Sequence, residues 1–347
     1  MSIIKYKKIS VIGSGFVGQA TGKGLAKMGH SVVFYDIKPE VINSLNESGY
    51  TARHIDALDD AVKDEVDIFM LSVPTPTINR KIELKHLRTA VKEVGKTIGK
   101  MKNVPVVVVR STVPPGTTEN LVVPIIEKAS GKKVEQGFGV SMQPEFLREV
   151  SAEKDFMNPW IVVIGSEDKM VGMMLEKIYE AFGAPIFQMS LKEAEMMKYA
   201  HNLLNATKIS FFNEMRLVGE EIGADPDVIF PAVVKSAEAM WNPLYGTKNF
   251  GAYGGSCLPK DTEAFYTWAM ENFNFKMPVL KGTMQTNELM QAISNKTQSG
   301  SSEEKSRFTD LLPAMKRVFS HREFSQKSWN RAGYRQKNIK TIPLKNL

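Results

Sequence analysis

"GSGFVG", Gly13–Gly18, decides the fold. It follows the apolar run "KISVI" and precedes a helical pattern, and Asp36 ends the next β-branched run, "SVVFYD", 18 residues beyond Gly18. A glycine pattern alone is weak evidence; strand, glycines, helix, second strand and terminal acid in that order form a dinucleotide-binding fingerprint. The glycines let the backbone approach a pyrophosphate at a helix N-terminus, where unpaired N–H groups and the dipole favour negative charge. Gly13, Gly15, Phe16, Val17 and Gly18 are therefore assigned to a cofactor, and Asp36 to its ribose hydroxyls. A carboxylate there repels a 2′-phosphate, so NAD is expected over NADP.

Outward from that turn, short β-branched runs alternate with helical patterns up to residue 190, as in "VDIFMLSVP", "VPVVVVRSTV", "FGVSMQPEF" and "WIVVIG". Such alternation predicts βαβ units: an α/β, Rossmann-type, doubly wound parallel sheet over 1–190. Two strand ends, "SVPTPT" (Ser72–Thr77) and "RSTVPPGTT" (Arg110–Thr118), stop in hydroxyl residues and proline. Parallel sheets bind ligands at carboxyl ends, so Thr75, Ser111 and Thr112 are candidates to meet the nicotinamide and its ribose; a plain turn role is equally open.

Beyond Ser190 the texture changes. Residues 191–222 lack proline, carry Gly219 as their one glycine and are apolar at helical spacing, which predicts one long helix. Further helices are expected over Pro226–Ser236, Pro259–Phe273 and Pro278–Ile293, each opened by proline. They make an all-helical central domain over 191–294. The remainder, 295–347, is polar and Ser-rich, and is expected to be a basic tail of low order. No repeats are present.

The 347 residues are 43% apolar, enough for about two packed domains. A single cysteine excludes an intramolecular disulfide framework and suits a reducing cytoplasm. The five histidines lie apart, with no cysteine or carboxylate at ligand spacing, so no metal is expected. No apolar run reaches the roughly 18 residues needed to cross a bilayer, and the basic, apolar N-terminus reads as a first strand rather than a signal peptide. The net charge of +7 resides in the tail: from Lys296 onward 12 Lys and Arg face four Asp and Glu. The body is close to neutral and carries neither a basic stripe nor an RNA-binding aromatic motif, so nucleic acid is not an expected partner.

The one thiol, Cys257, lies in "GGSCLPKD", Gly254–Asp261. Pro259 opening a helix would place it at a helix N-terminus, which favours a thiolate. Lys198 and Asn202 stand four apart on one face of the long helix, with Glu195 a turn before; Glu145 and Glu149 are similarly spaced in "QPEFLREV". Taken alone, either pair is also what a solvated surface carries.

Together, "GSGFVG", "STVPPGTT", "PEFLRE", "AEMMKYAHN", "KISFFNE", "GGSCLPKD" and "MPVLKGTMQTNE" resemble the UDP-glucose and GDP-mannose dehydrogenase family, NAD-dependent four-electron oxidases of nucleotide sugars. The resemblance spans about residues 7–290, and the octet around Cys257 is its most specific part. It implies Cys257 as nucleophile, Lys198 and Asn202 as oxyanion stabilisers, and Asp261 as an acid–base partner. Thr112 and Glu145 match positions that hold water and serve proton transfer, and Glu149 lies near the cofactor. Glu145, Phe146, Leu147, Lys198, Asn202, Gly254 and Gly255 are expected at the substrate, as are Tyr245, Lys248 and Tyr253 of the loop between helices. The residue chemistry agrees. Oxidising an alcohol to an acid takes two hydride transfers, and a thiolate can hold the intermediate aldehyde as a thiohemiacetal, whose oxidation yields a hydrolysable thioester.

The expected function is NAD-dependent oxidation of a nucleotide sugar, UDP-glucose first, to the uronate, by a homodimer joined through the long helix. Two alternatives stand beside it: a two-electron β-hydroxyacid dehydrogenase, which would not need Cys257, and a non-catalytic nucleotide-sugar or NAD-binding subunit. The sequence also departs from the family. The family's third, nucleotide-holding domain with its "GLAFK"-like motif is expected to be missing, with the basic tail in its place. "REV" stands for the usual "REG", and Ile161 takes a position where arginine is common.

Overall fold

The structure is a computed structural model that describes residues 6–243, 245–247, 251–255 and 257–299, with side chains through 292. Two compact units divide the chain, Met1–Asn205 and Ala206–Leu347.

Among its described residues the first unit has ten strands: β1 (Lys8–Ile12), β2 (Ser31–Asp36), β3 (Thr51–His54), β4 (Ile68–Leu71), β5 (Thr77–Ile78), β6 (Lys81–Ile82), β7 (Val106–Val109), β8 (Gly139–Met142), β9 (Val162–Gly165) and β10 (Ile186–Met189). β5 and β6 form a small hairpin, and the other eight form one sheet in the order β10-β9-β8-β7-β4-β1-β2-β3. Pairing is parallel except where β8 meets β9 through the antiparallel bridge Met142 to Gly165. Apart from that one bridge, this is the expected doubly wound parallel sheet.

The central strands are apolar throughout because both faces are covered. Along β4 and β7, Phe69, Leu71, Val107 and Val109 point into one core, while Ile68, Met70, Val106 and Val108 point into the other. This is the period-2 alternation of a strand with no solvent side. The first core is closed by Leu87, Val91, Val94 and Ile98 of the helix Lys85–Lys100, and the second by Val171, Leu175 and Ile178 of the helix Lys169–Tyr179. Each such fully buried side chain contributes about 1.5–3 kcal/mol of transfer free energy. The edge strands β3 and β10 escape a pattern search because they are short and half exposed.

The order of strands places a topological switch at β1. The chain leaves β1 for β2 and β3 on one side and returns to β4 on the other, opening a crevice at the carboxyl ends of β1 and β4.

One helix, Leu191–Glu221, begins in the first unit and ends in the second. The second unit also contains the helices Pro226–Ser236, Glu238–Trp241, Leu258–Phe273 and Pro278–Ser299. Its small core joins Val218, Ala269 and Met277, with Met215, Phe265 and Leu280 packed against them. Glu214, nearly buried, accepts the N–H groups of Val279 (2.8 Å) and Leu280 (3.1 Å) and so satisfies the start of the last helix. That helix runs past the expected Ile293 to Ser299, into the stretch expected to be tail, since neither glycine nor proline occurs between 283 and 299. The rest of the expected tail lies outside the described residues.

Candidate active site

At the switch point, Gly13 follows β1 with φ +88°, a conformation that side chains disfavour. A Cβ on Gly18 would stand 2.0 Å from the Gly13 carbonyl oxygen, so the turn closes only with glycine there. A Cβ on Gly15 would meet nothing within 4 Å, which leaves open space at the N-cap of the helix Phe16–Lys27. No side chain caps that helix, so its first-turn N–H groups, including those of Phe16 and Val17, lie where a phosphate would accept from them. The hydroxyls of Ser14 and Ser72 are buried there without a hydrogen-bond partner. Asp36 closes the other side: one carboxylate oxygen accepts the Ser14 N–H (2.6 Å), the other the N–H groups of Ile37 (2.8 Å) and Lys38 (3.0 Å). A cradle of glycines, free helix N–H groups and an acid at the next strand's end fits a dinucleotide.

The ends of β4 and β7 are stitched together beside that cradle. Thr75 Oγ1 donates to the Thr112 carbonyl (2.8 Å) and Ser111 Oγ to the Val73 carbonyl (2.6 Å), so both hydroxyl protons are engaged by backbone. Glu195 on the long helix, fully buried, holds the far end of the same loop. One of its oxygens accepts the Thr118 N–H (2.7 Å) and the Thr118 hydroxyl (2.7 Å), and the other accepts the Gly116 N–H. Lys192, a turn earlier, adds an ion pair to Glu119 at 2.5 Å.

One turn beyond Glu195, Lys198 is buried and its Nζ pairs with Glu145 Oε1 at 2.9 Å; it also donates to the Glu145 carbonyl. A buried charge needs such a partner. Glu145 Oε2 accepts the Leu147 N–H (2.7 Å), which fixes the turn after β8. Between them Phe146 lies under the Lys198 ammonium (5.4 Å) and packs on the His201 ring, centroids 4.8 Å apart. Burial, then the Lys198 charge, lowers the His201 pKa, so the ring is neutral near pH 7. Asn202, exposed, stands on the same helix, and Glu149, also exposed, opens the turn Glu149–Ser151. That turn is clamped by the buried Asp155, which accepts from Arg148 N (2.9 Å), Nε (3.0 Å) and Nη2 (2.7 Å) and from Ser151 Oγ (2.9 Å).

In the second unit, Cys257 is exposed and occupies the N-cap of the helix Leu258–Phe273, with proline in its first turn. Its carbonyl accepts the Asp261 N–H (2.8 Å), and Asp261 pairs with Lys260 at 2.5 Å. Gly255 has φ +80°, so a side chain there would be strained. Gly254 and Tyr245 are exposed, and Tyr253 is half-buried, its carbonyl accepting from Asn287 Nδ2 (3.1 Å). Lys248 lies outside the described residues. The first unit thus assembles Thr75, Ser111, Thr112, Glu145, Phe146, Leu147 and Lys198, and the second places Cys257, Asp261, Gly254 and Gly255 on one short segment. Glu195 as a loop anchor, His201 against Phe146, Asp155 and Asn287 escaped the sequence reading. Only Glu195 had a signal there, its spacing from Lys198.

Among the described residues no group of three or more His, Cys, Asp or Glu could hold a metal, and no helix is long and apolar enough to cross a membrane.

Comparison with known proteins places these segments in order. Residues 7–66 and 52–183 match the NAD binding domain of the UDP-glucose/GDP-mannose dehydrogenase family, and residues 192–289 match its central domain. NAD is thus the cofactor of this domain. A GDP-mannose 6-dehydrogenase of Pseudomonas aeruginosa is 34% identical over 299 residues, covering 81% of this chain and 68% of that protein. A UDP-glucose 6-dehydrogenase of Bacillus subtilis is 35% identical over 301 residues, covering 81% and 63%. A crystal structure of a ternary complex of the P. aeruginosa GDP-mannose dehydrogenase superposes with a TM-score of 0.76 at 33% identity, covering 82% of this chain and 69% of that one. With both domain models matched in sequence and a fold to accord, the chain belongs to the UDP-glucose/GDP-mannose dehydrogenase family.

Proposed function

We propose that this protein oxidises a nucleotide sugar at its C6 alcohol to the uronate, with UDP-glucose the first substrate to test. The observation that carries the reading is Cys257, the only thiol of the chain, at a helix N-cap with Asp261 one turn on. Bound NAD supplies the chemistry of hydride acceptance, once for each of two oxidations. The residues of the chain do the rest. Lys198 and Asn202 stabilise the oxygen that loses its proton, because donors aimed at developing negative charge lower the barrier. The Cys257 thiolate adds to the aldehyde carbon, and the resulting thiohemiacetal loses hydride and a proton to become a thioester. Water then cleaves the C–S bond, releasing the acid and restoring the thiol. Thr112 and Glu145 position that water and take its proton, and Asp261 exchanges protons with the reacting oxygen. Glu149, Thr75 and Ser111 lie on the cofactor side, and Tyr245, Tyr253, Gly254 and Gly255 on the sugar side.

GDP-mannose is the second reading, favoured by 34%-identical relatives that bear that name. Division into an NAD domain (1–190), a catalytic helical domain (191–294) and a tail (295–347) belongs to the same proposal. So does a homodimer through the long helix, supported by its exposed Leu203, Leu204, Ile209 and Leu217. A reducing cytoplasm would keep the thiol nucleophilic.

The test counts NADH. With UDP-glucose or GDP-mannose the protein should release two NADH per sugar and no free aldehyde, and NADP should be a far poorer acceptor because of Asp36. One NADH per sugar would mean a two-electron dehydrogenase, and no turnover with any sugar would mean a binding subunit. If Cys257→Ala still gave two NADH at the unmodified rate, the covalent route would be wrong.

A further inference from the structure

Behind the turn that carries Glu145 lies a second polar feature with no part in the chemistry above. Arg110, at the end of β7, and Gln143, at the end of β8, are 5% and 2% exposed. Arg110 Nη1 donates to Gln143 Oε1 (2.7 Å), and the Tyr179 hydroxyl donates to the same oxygen (2.8 Å). Arginine can only donate, so the amide oxygen must face it and the amide nitrogen must face away. Arg110 Nε and Gln143 Nε2 are consequently left buried with no partner. Both side chains line a cavity of about 40 Å³ whose other walls are largely apolar, among them Leu147, Phe156, Ile161 and Val163. It has room for a few water-sized atoms.

The charges around this cavity do not cancel. Glu145 and Asp155 also line it, but each is already paired, with Lys198 (2.9 Å) and Arg148 (2.7 Å) respectively. Arg110 has no carboxylate partner among the described residues, so the surroundings carry one uncompensated positive charge. A buried, unpaired guanidinium is costly. Water offers an incomplete remedy, because a neutral molecule can accept from both donors but leaves the Arg110 charge uncompensated.

We propose that this cavity binds a monovalent, chloride-sized anion, held by Arg110 Nε and Gln143 Nε2. Such an ion accepts from both donors, needs none in return and neutralises Arg110. It also supports from beneath the turn Pro144–Leu147 that positions Glu145. The site is independent of the dehydrogenase reading, because none of its donors belongs to the proposed chemistry.

Two measurements test it on the full chain. Crystals grown in sodium bromide should show an anomalous peak between Arg110 and Gln143; a water there, with no anomalous signal, would overturn the proposal. The thermal midpoint should rise as sodium chloride replaces sodium gluconate at constant ionic strength, gluconate being too large for the cavity. At a chloride concentration about a hundredfold above its Kd the rise should be about 5–11 °C. Arg110→Met risks misfolding, so the decisive variant is Gln143→Glu, which keeps the acceptor for Arg110 and Tyr179 and supplies the missing charge internally. Its midpoint should not respond to the exchange of anions. An equal response in Gln143→Glu and the unmodified protein would show that chloride acts elsewhere.

Discussion

Replacing Glu195 by glutamine tests whether one buried carboxylate sets the loop on which the proposed chemistry depends. The side chain is fully buried and accepts three hydrogen bonds, from the Gly116 N–H and from the N–H and hydroxyl of Thr118. Glutamine keeps the shape but only one acceptor oxygen. Turned toward Thr118, it preserves two bonds and sets its NH2 against the Gly116 N–H, leaving a buried donor without an acceptor. Losing one bond to a charged group costs about 1.5–3 kcal/mol, offset in part because a neutral amide is cheaper to bury. A net loss of about 2 kcal/mol lowers the melting midpoint of a unit this size by about 4–8 °C. Glu195→Ala strands all three donors and should cost roughly twice as much. Differential scanning calorimetry measures both. Since the loop joins Thr118 back to Thr112 beside the glycine cradle, turnover of the glutamine variant should fall more than its NAD affinity. A Glu195→Gln protein that melts within a degree of the unmodified one would refute the reasoning, for then the carboxylate would not hold the loop.

Gly18→Ala should abolish NAD binding, measured by calorimetric titration, because its Cβ would stand 2.0 Å from the Gly13 carbonyl oxygen; tight binding by a folded variant would show that the turn can open. Lys198→Ala should cut turnover by roughly 100-fold, the loss of one oxyanion donor, with NAD affinity nearly intact; loss of NAD binding instead would make the lysine structural. Hydrogen bonding from Arg148 holds the Asp155 carboxyl well below the usual carboxylate range, so its contribution to stability is full above about pH 4 and is lost as the pH falls toward the folded-state value. Asp155→Asn should therefore melt well below the unmodified protein at pH 6, and the gap should close toward pH 2; a gap unchanged by acid would mean that the charge is irrelevant.

What the sequence determined by itself is what short windows encode. The glycine turn with Asp36, the apolar central strands, the long helix after Ser190 and the octet around Cys257 are each local, because strand and helix periods and the freedom of glycine act over a few residues. The resemblance carried by those same segments named the family. Tertiary structure decided what depends on residues far apart in the chain. Glu195 reads as one more acid on a helix until the fold brings it to Gly116 and Thr118, 79 and 77 residues earlier. Lys198 and Asn202 share a face by spacing, yet only packing buries the lysine against Glu145 and leaves the asparagine exposed. Arg110 and Gln143 have no local pattern: their meeting follows from the side-by-side pairing of β7 and β8, and their unspent donors from a cavity that no window of sequence contains. The physical reason is common to all three. Periodicity assigns a residue to a face, whereas burial, and with it the cost of an unpaired charge, is set by whatever the opposite element supplies.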